Sequence, residues 1–478
     1  SDDLNLGGSW ELKNLTLKLN LNNMDLTNSL AVDAENENPV SAEASGNWWG
    51  SAEKPVVNVN YTGLVSFCSW LDAPTPFGEL IGDGMVTNQR TGQFYCSIQA
   101  AVDDAEAGDE LVASAGTFVE QIVIDKAITL RGPNYEKTGF AEDRLPEAIV
   151  TYPSGIPEDG SMALVEVEAD GVTIEGFTFQ SVTEYPGRFS THIHTYSANN
   201  FTVRNNIING TEIGIYRDPY KTGYTFTDNS GWLVEGNLID GGLNRYVNSR
   251  VGRGIYIYRA TAIVRDNKII NHNTGIQILP ATLVEGGVVE NNIITAGQTG
   301  LYHNGAEKGS GAWTYRANTI SVAPNDRSAQ DVCIPYPPDL DVGFRAIHVI
   351  NQGLGATGEL PAVTFTQNIA DMTRDAGSLL VETVAVRISE SNPLNVKTPI
   401  MVNENHFSNY TIAVNNTTDN NLDASYNYWG TIDATELFNK ITPGSDYTPR
   451  LAFGTDTDAD LAGFQGDFST LYVDDDSF

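Results

Sequence analysis

The phrase "VRNNIING" (residues 203–210) returns as "VEGNLIDG" (234–241), "VRDNKIIN" (264–271), "VENNIITA" (289–296) and "YRANTISV" (315–322). The asparagine in fourth place stands at Asn206, Asn237, Asn267, Asn292 and Asn318, with gaps of 31, 30, 25 and 26 residues. Looser copies follow: "FTQNIADM" with Asn368, "VNENHFSN" with Asn405, and then Asn427. Upstream, "VTIEGFTF" puts Phe177 in the same place. Self-similarity at this period marks a solenoid, in which each repeat is one supersecondary unit stacked on the next.

Each copy alternates apolar and polar residues for a few positions, turns at Asn or Gly, and resumes in a second short run such as "GIYI" (254–257) or "GIQI" (275–278). Alternation of period two means half-buried strands, and the repeats show no helical period. Several short strands per repeat, closed by turns, describe one rung of a parallel β-helix. About a dozen rungs at ~4.8 Å spacing give a rod core near ~60 Å long. The recurring Asn admits two readings. It can hand amide hydrogen bonds from rung to rung as a ladder, or it can simply tolerate a left-handed turn conformation.

A solenoid needs covered ends, because a bare terminal rung exposes core and unpaired strand edges. The stretch "SIQAAVDDAEAGDELVASAGTFVEQIVIDKAITLRG" (97–132) reads as the beginning. Ser97 is placed to N-cap a short helix over 98–107, whose stripe of Ile98, Ala101, Val102 and Ala105 would plug the first rung, with Gly108 ending it. Strands are expected around Leu111–Ala113 and Gln121–Ile124. This opening, the Asn repeats and the closing "NYWG" with "YTPRL" (447–451) resemble the right-handed parallel β-helix, pectate-lyase-like superfamily in its repeat form, over roughly residues 97–451. The resemblance implies an all-β fold and leaves function open, since these motifs belong to the scaffold.

Near the two ends the chain says nearly the same thing. "ASGNWWGSAEKP" begins at Ala44 and "ASYNYWGTIDAT" at Ala424, 380 residues apart. Asn47, Trp49 and Gly50, like Asn427, Trp429 and Gly430, read as closing rungs, with a Trp laid across the end of a core and Gly permitting a tight exit. The division that follows is 1–72 as terminal rungs of a partial β-helix unit, 73–96 as linker, 97–430 as the main β-helix, and 431–478 as an extension with an acidic tail. One or two rungs are too few to fold alone, so the first unit is expected to complete another copy head to tail, to stack on its own solenoid, or to be a piece of a longer multi-module chain.

The balance of 27 Lys and Arg against 61 Asp and Glu gives a formal charge of −34, which argues against nucleic acid or an anionic membrane as partner. No apolar run is long enough to span a bilayer, and "SDDLNLGGSW" lacks the character of a signal peptide, so any export signal is expected to be gone already. An extracellular or cell-surface location is expected. Of three cysteines, Cys68 and Cys96 are the pair that could form a disulfide, leaving Cys333 free; three thiols are the alternative.

On the second strand of each rung, Tyr216, Tyr256, Gln277 and Tyr302 should face outward, with His348 and Arg387 as later members. Such a column suits sugar rings, which stack on aromatics and hydrogen-bond at the rim, but it equally suits cross-strand pairing that stiffens a sheet. The superfamily resembled includes polysaccharide lyases, hydrolases and pectin esterases. Glu212, Arg217, Asp218, Arg253 and Arg259 lie near the column, yet no catalytic motif matches residue by residue. His192 and His194 share an alternate spacing without an evident third zinc ligand, so a plain surface strand is expected there. In "DTDADLAGFQGD" (456–467), Asp456, Asp458, Asp460 and Asp467 echo a calcium loop, but Leu461 replaces the required Gly. Calcium is thus compatible and no cofactor is required.

The sequence therefore points to an exported structural or surface β-helix, for which contact with polysaccharide and head-to-tail assembly into a filament or layer are compatible additions. A polysaccharide lyase or hydrolase on the same scaffold, and a passive stalk module of an adhesin, are the alternatives.

Overall fold

The structure, a computed structural model, describes residues 84–153, 162–180, 190–210, 213–217, 229–242, 252–280, 286–305, 311–322, 344–350, 362–372, 382–390, 398–418 and 422–473, and before residue 84 little more than short strands. One coil shows the plan. Thr202–Arg204 leads through a corner into Ile207–Asn209, and Ile213–Arg217 is the third strand. The first strands of successive coils stack in parallel from Glu110–Ala113 to Ser445–Asp446, twelve deep in the described residues, which spans about 53 Å at ~4.8 Å per rung. Second and third strands stack likewise in a common sheet. Lys268–Leu279 and Ile293–Asn304 are each long enough to round a corner and serve both faces.

Alternation fills the core. Val203, Val234, Val264 and Val289 point inward from the first face, Ile208, Ile239, Ile269 and Ile294 from the second, and Ile215, Ile255, Ile276 and Leu301 from the third; none is more than 1% exposed. Each such side chain is worth roughly 1.5–3 kcal/mol when fully buried, and it is buried only when the next rung is in place. Stability is thus a property of neighbours.

The Asn column is a hydrogen-bonded ladder. Asn206, Asn237, Asn267, Asn292, Asn318, Asn368, Asn405 and Asn427 are all essentially inaccessible. Each of the first seven donates its backbone N–H and its Nδ2 to the Oδ1 of the next, as Asn237 does to Asn267 at 3.0 and 2.9 Å, and Asn427 ends the series with its Nδ2 on the Val402 and Ala424 carbonyls. Phe177 begins the series, donating its N–H to Asn206 Oδ1 at 3.0 Å. The ladder residues are not themselves the left-handed ones. The residue before each takes that conformation: Asn205, Gly236, Asp266, Asn291, Ala317, Gln367, Glu404 and Tyr426 have φ between 53° and 65°. Even Ala, Gln, Glu and Tyr bear that cost, so the buried amides and not turn tolerance explain the column.

The first rung is covered by helix α1, Ile98–Asp104, with Ile98, Ala101 and Val102 buried. It stops three residues short of the expected end, because the Ala105 backbone is extended, while its N–H still reaches Val102 O. Glu120, from the first rung, accepts hydrogen bonds from Ile98 and Gln99 N–H at 2.7 and 3.0 Å, and Ser97 caps Ala100. The Gln99 amide then pairs both backbone groups of Val123, at 2.7 and 3.2 Å, filling the edge where a preceding rung would bond. A further strand, Gly116–Val119, lies between the two expected there.

At the other end Trp429 is buried and stacks on Phe407, with ring centroids 4.9 Å apart and planes at 18°. The stack carries on beyond Gly430. Helix α2, Ala434–Phe438, is followed by Ser445–Asp446, which pairs with Leu422–Asp423. Arg450–Leu451 pairs antiparallel with Leu471–Tyr472, which covers that strand's edge. Near the N-terminus, Leu17–Lys18, Ala42–Glu43 and Val65–Ser66 form a separate three-stranded parallel sheet, and Ser69–Leu71 pairs antiparallel with Leu80–Gly82. Asn47, Trp49, Gly50 and Cys68 lie outside the described residues.

Candidate functional site

The third strand face carries one residue per rung in strict register: Glu166, His194, Tyr216, Tyr256, Gln277, Tyr302, His348, Arg387 and Asn415. All six residues singled out from the sequence stand in this one column. Their faces, however, are turned to one another. Tyr216 and Tyr256 stack with centroids 5.0 Å apart and planes at 13°, Tyr302 and His348 at 4.8 Å and 8°, and His194 joins Tyr216 at 5.2 Å and 25°. Parallel, in-register rungs place equivalent side chains one strand spacing apart, close to the thickness of two rings. A ligand therefore meets ring edges and hydroxyls, not the open ring faces a single exposed tyrosine would offer.

A second column lies alongside, with Arg253, Thr274, Thr299 and Arg345 in register. The Arg253 guanidinium sits 4.4 Å over the Tyr256 ring and donates through Nε to the Gln277 side-chain oxygen. Burial pushes the Tyr302 hydroxyl up to about 12, and burial together with Arg345 and Arg387 holds His348 well below the ordinary imidazole range. His348 Nε2 lies 3.0 Å from Ser389 Oγ. At neutral pH the column thus carries neutral hydroxyl and imidazole groups beside the cations Arg253, Arg345 and Arg387. Not all of it faces outward as expected: Gln277, His348 and Arg345 are buried, and Tyr216, Tyr256, Tyr302, Arg253 and Arg387 are half-buried. Gly254 explains the recurring "GIYI" pattern: a Cβ there would come within 2.4 Å of Ile269 Cγ2 and 2.8 Å of the Gly275 carbonyl oxygen, so the corner before the column admits only glycine.

Residues 159–326 match the family described as right handed beta helix region. The fold is a right-handed parallel β-helix. A comparison with curated proteins gives no match. Among solved structures, the crystal structure of the Dettilon tailspike protein aligns over 76% of this chain at 10% identity with a TM-score of 0.37. This chain spans 66% of that structure's length.

Other expected residues are scattered over the β-helix. Arg217 is buried and donates to the Tyr258 carbonyl, and Arg259 occupies a left-handed corner, while Glu212 and Asp218 lie outside the described residues. The strand of His192 and His194 is not a plain surface one. His192 is fully buried with Nε2 2.9 Å from Asn209 O, and His194 is only 8% exposed within the ring column. The calcium-loop carboxylates are not brought together. Asp456, Asp458 and Asp467 each accept the backbone N–H two residues on, at 3.2, 3.3 and 2.8 Å. Among the described residues no group of three or more His, Cys, Asp or Glu is gathered as a metal would need, and no helix is long and apolar enough to cross a membrane. Cys96 is disulfide-bonded, with its partner outside the described residues.

Sequence reasoning missed a charge column on the first face. Arg131, Glu175, Arg204, Glu235, Arg265, Glu290 and Arg316 follow one another rung by rung. Glu175 is wholly buried between Arg131 and Arg204, while Arg265–Glu235 and Arg316–Glu290 close at 2.7 and 2.6 Å. The signal was present in the repeated phrases, whose second letter alternates R, E, R, E, R.

Proposed function

We propose that this chain is an extracellular or surface β-helix protein whose third strand face contacts an anionic polysaccharide. The observation that carries the reading is the pairing of two columns in register, one of stacked rings interrupted at Gln277 and one of Arg and Thr, on an otherwise strongly acidic molecule. A repeating polymer meets a repeating surface. Tyrosine hydroxyls hydrogen-bond sugar hydroxyls, and the half-buried Arg253 and Arg387 meet carboxylate or sulfate groups with charge-assisted bonds. The fold alone does not argue function, so the reading rests on this face.

Calorimetry with polygalacturonate and with heparin oligosaccharides tests it. Binding that falls about tenfold or more in Arg253→Ala and Arg387→Ala supports the reading, since a lost charge-assisted bond is worth ~1.5–3 kcal/mol. Unchanged affinity in both variants removes it. Unsaturated or reducing ends appearing in the same mixtures would assign the face catalysis.

Head-to-tail assembly is a second reading, favoured by the C-terminal end, where Ile432, Phe438, Phe453 and Val473 are 55%, 62%, 48% and 70% exposed. Exposed apolar side chains in this C-terminal segment offer surface for association. Sedimentation that stays monomeric across a hundredfold range of concentration, roughly from micromolar upward, would exclude it.

A further inference from the structure

The corner between first and second strands, away from the ring column, carries a groove of about 550 Å³. That lies within the ~300–1,000 Å³ of small-ligand sites. Its floor follows four successive left-handed corner residues, Asn205, Gly236, Asp266 and Asn291. Gly236 presents no side chain, and the Asn205 amide lies in the space a side chain would need, its Oδ1 2.4 Å from where a Cβ would stand. The wall is the excursion between the strands Thr129–Arg131 and Ala148–Thr151, bearing Thr138 and Phe140.

This wall is bound to the floor. Gly139 N–H donates to Gly236 O at 2.7 Å, Asn205 Nδ2 to Tyr135 O at 2.6 Å, and Arg144 to Asn205 O at 3.0 Å. A Cβ on Gly139 would stand 2.2 Å from the Asn206 carbonyl oxygen, so the approach is as close as backbone allows. The groove is therefore preformed, and little ordering cost remains for a ligand.

Its lining is two-natured. Phe140 and Ile293 are 37% and 47% exposed, leaving apolar surface open on two sides. Between them stand acceptors. Asp266 takes Asn291 Nδ2 on Oδ1 and holds Oδ2 3.8 Å from Arg265 Nε, Glu235 meets Arg265 through Oε1, and Asn291 Oδ1 accepts no hydrogen bond among the described residues. Arg204, the cation lining the groove, is already turned to the buried Glu175. A surface of apolar patches with spare acceptors calls for a ligand with an apolar face and several O–H donors, and the two carboxylates disfavour an anion.

We propose that this corner groove binds an uncharged pyranose. Its apolar face lies on Phe140, and its hydroxyls donate to Asp266, Glu235 and Asn291. The site is separate in place and chemistry from the arginine-lined face, so each stands or falls alone.

Saturation-transfer NMR and calorimetry on the full chain, with cellotriose, xylotriose, mannotriose and triacetylchitotriose, test it, with trigalacturonate as the anionic competitor. At least one neutral trisaccharide is expected to bind at about millimolar affinity without displacement by trigalacturonate. Phe140→Ala should weaken that binding about tenfold, the scale of one lost ring contact, and Tyr256→Ala should not change it. Ile293→Trp fills the groove from an exposed position and should abolish binding while leaving the melting curve in place. The proposal fails if none of the four sugars binds below ~10 mM, or if binding persists in both Phe140→Ala and Ile293→Trp.

Discussion

Asn267 donates twice to a single oxygen: its backbone N–H and its Nδ2 reach Asn292 Oδ1 at 3.1 and 3.0 Å, while Nδ2 also meets Val234 O at 2.9 Å. Its own Oδ1 takes the equivalent pair from Asn237. Asn267→Ala therefore leaves two buried N–H groups of Asn237 without their acceptor and takes the amide donor away from Val234 O, while the backbone N–H of residue 267 still reaches Asn292. Each unpaired buried group costs ~1–3 kcal/mol, so a loss of about 3 kcal/mol is expected. Urea unfolding measures it; a loss below about 1 kcal/mol would mean the ladder is decoration.

Glu175 differs from the rest of its charge column in being wholly buried between two guanidinium groups. Glu175→Gln leaves Arg131 and Arg204 without their shared carboxylate. Both arginines are partly exposed and regain water, so about 2–3 kcal/mol is expected in place of the full ~3–5 for a buried pair. Arg316→Ala, half-exposed at the column's end, should cost less than about 1 kcal/mol. Equal effects in thermal unfolding would contradict this ordering.

Stability should fall as the pH drops from 7 to 5. Burial lowers His192 and His303 to about 3 from the ordinary 6.5. The unfolded chain then binds protons that the folded one refuses, so stability is whole above ~6.5 and declines as pH falls toward the folded values. At pH 5 each contributes a loss of about 2 kcal/mol. Asp109, held low by its hydrogen bond from Arg90, acts only in more acidic solution. Urea midpoints at both pH values give the answer, and His303→Gln should flatten the slope. A flat profile in the native protein would overturn the assignment.

Trp429→Ala removes the largest buried side chain at the C-terminal end, stacked on Phe407 and edged by Tyr410. Truncations of this kind cost ~3–5 kcal/mol. Because rungs are stabilised by neighbours, the loss should concentrate at that end. Hydrogen exchange is expected to quicken across Leu422–Asp423 and Ser445–Asp446 before it changes at Thr202–Arg204. Uniform acceleration along the rod would show that the lid acts globally.

Much of this could be read from one line of letters, for a physical reason. In a stacked solenoid each residue's main neighbours are its equivalents one period away, so the pattern at Asn206, Asn237 and Asn267 already states who touches whom. The column from Tyr216 to Arg387 follows from the same periodicity, while the cap at Ile98 was legible from its own apolar stripe and the closing Trp429 from the duplicated phrase. The alternating Arg and Glu were equally legible and went unread.

The sequence by itself determined the rung, its core-facing positions and the register, because these depend only on the repeat. The tertiary structure decided what breaks the repeat or depends on side-chain direction: ring faces turned to each other, histidines sunk into the core, calcium-like carboxylates kept apart in their own turns. It also decided the corner groove, where Phe140 comes beside Asp266. No period links those two residues. Only the folding of an excursion back across the stack, held by hydrogen bonds that no local pattern announces, brings them together.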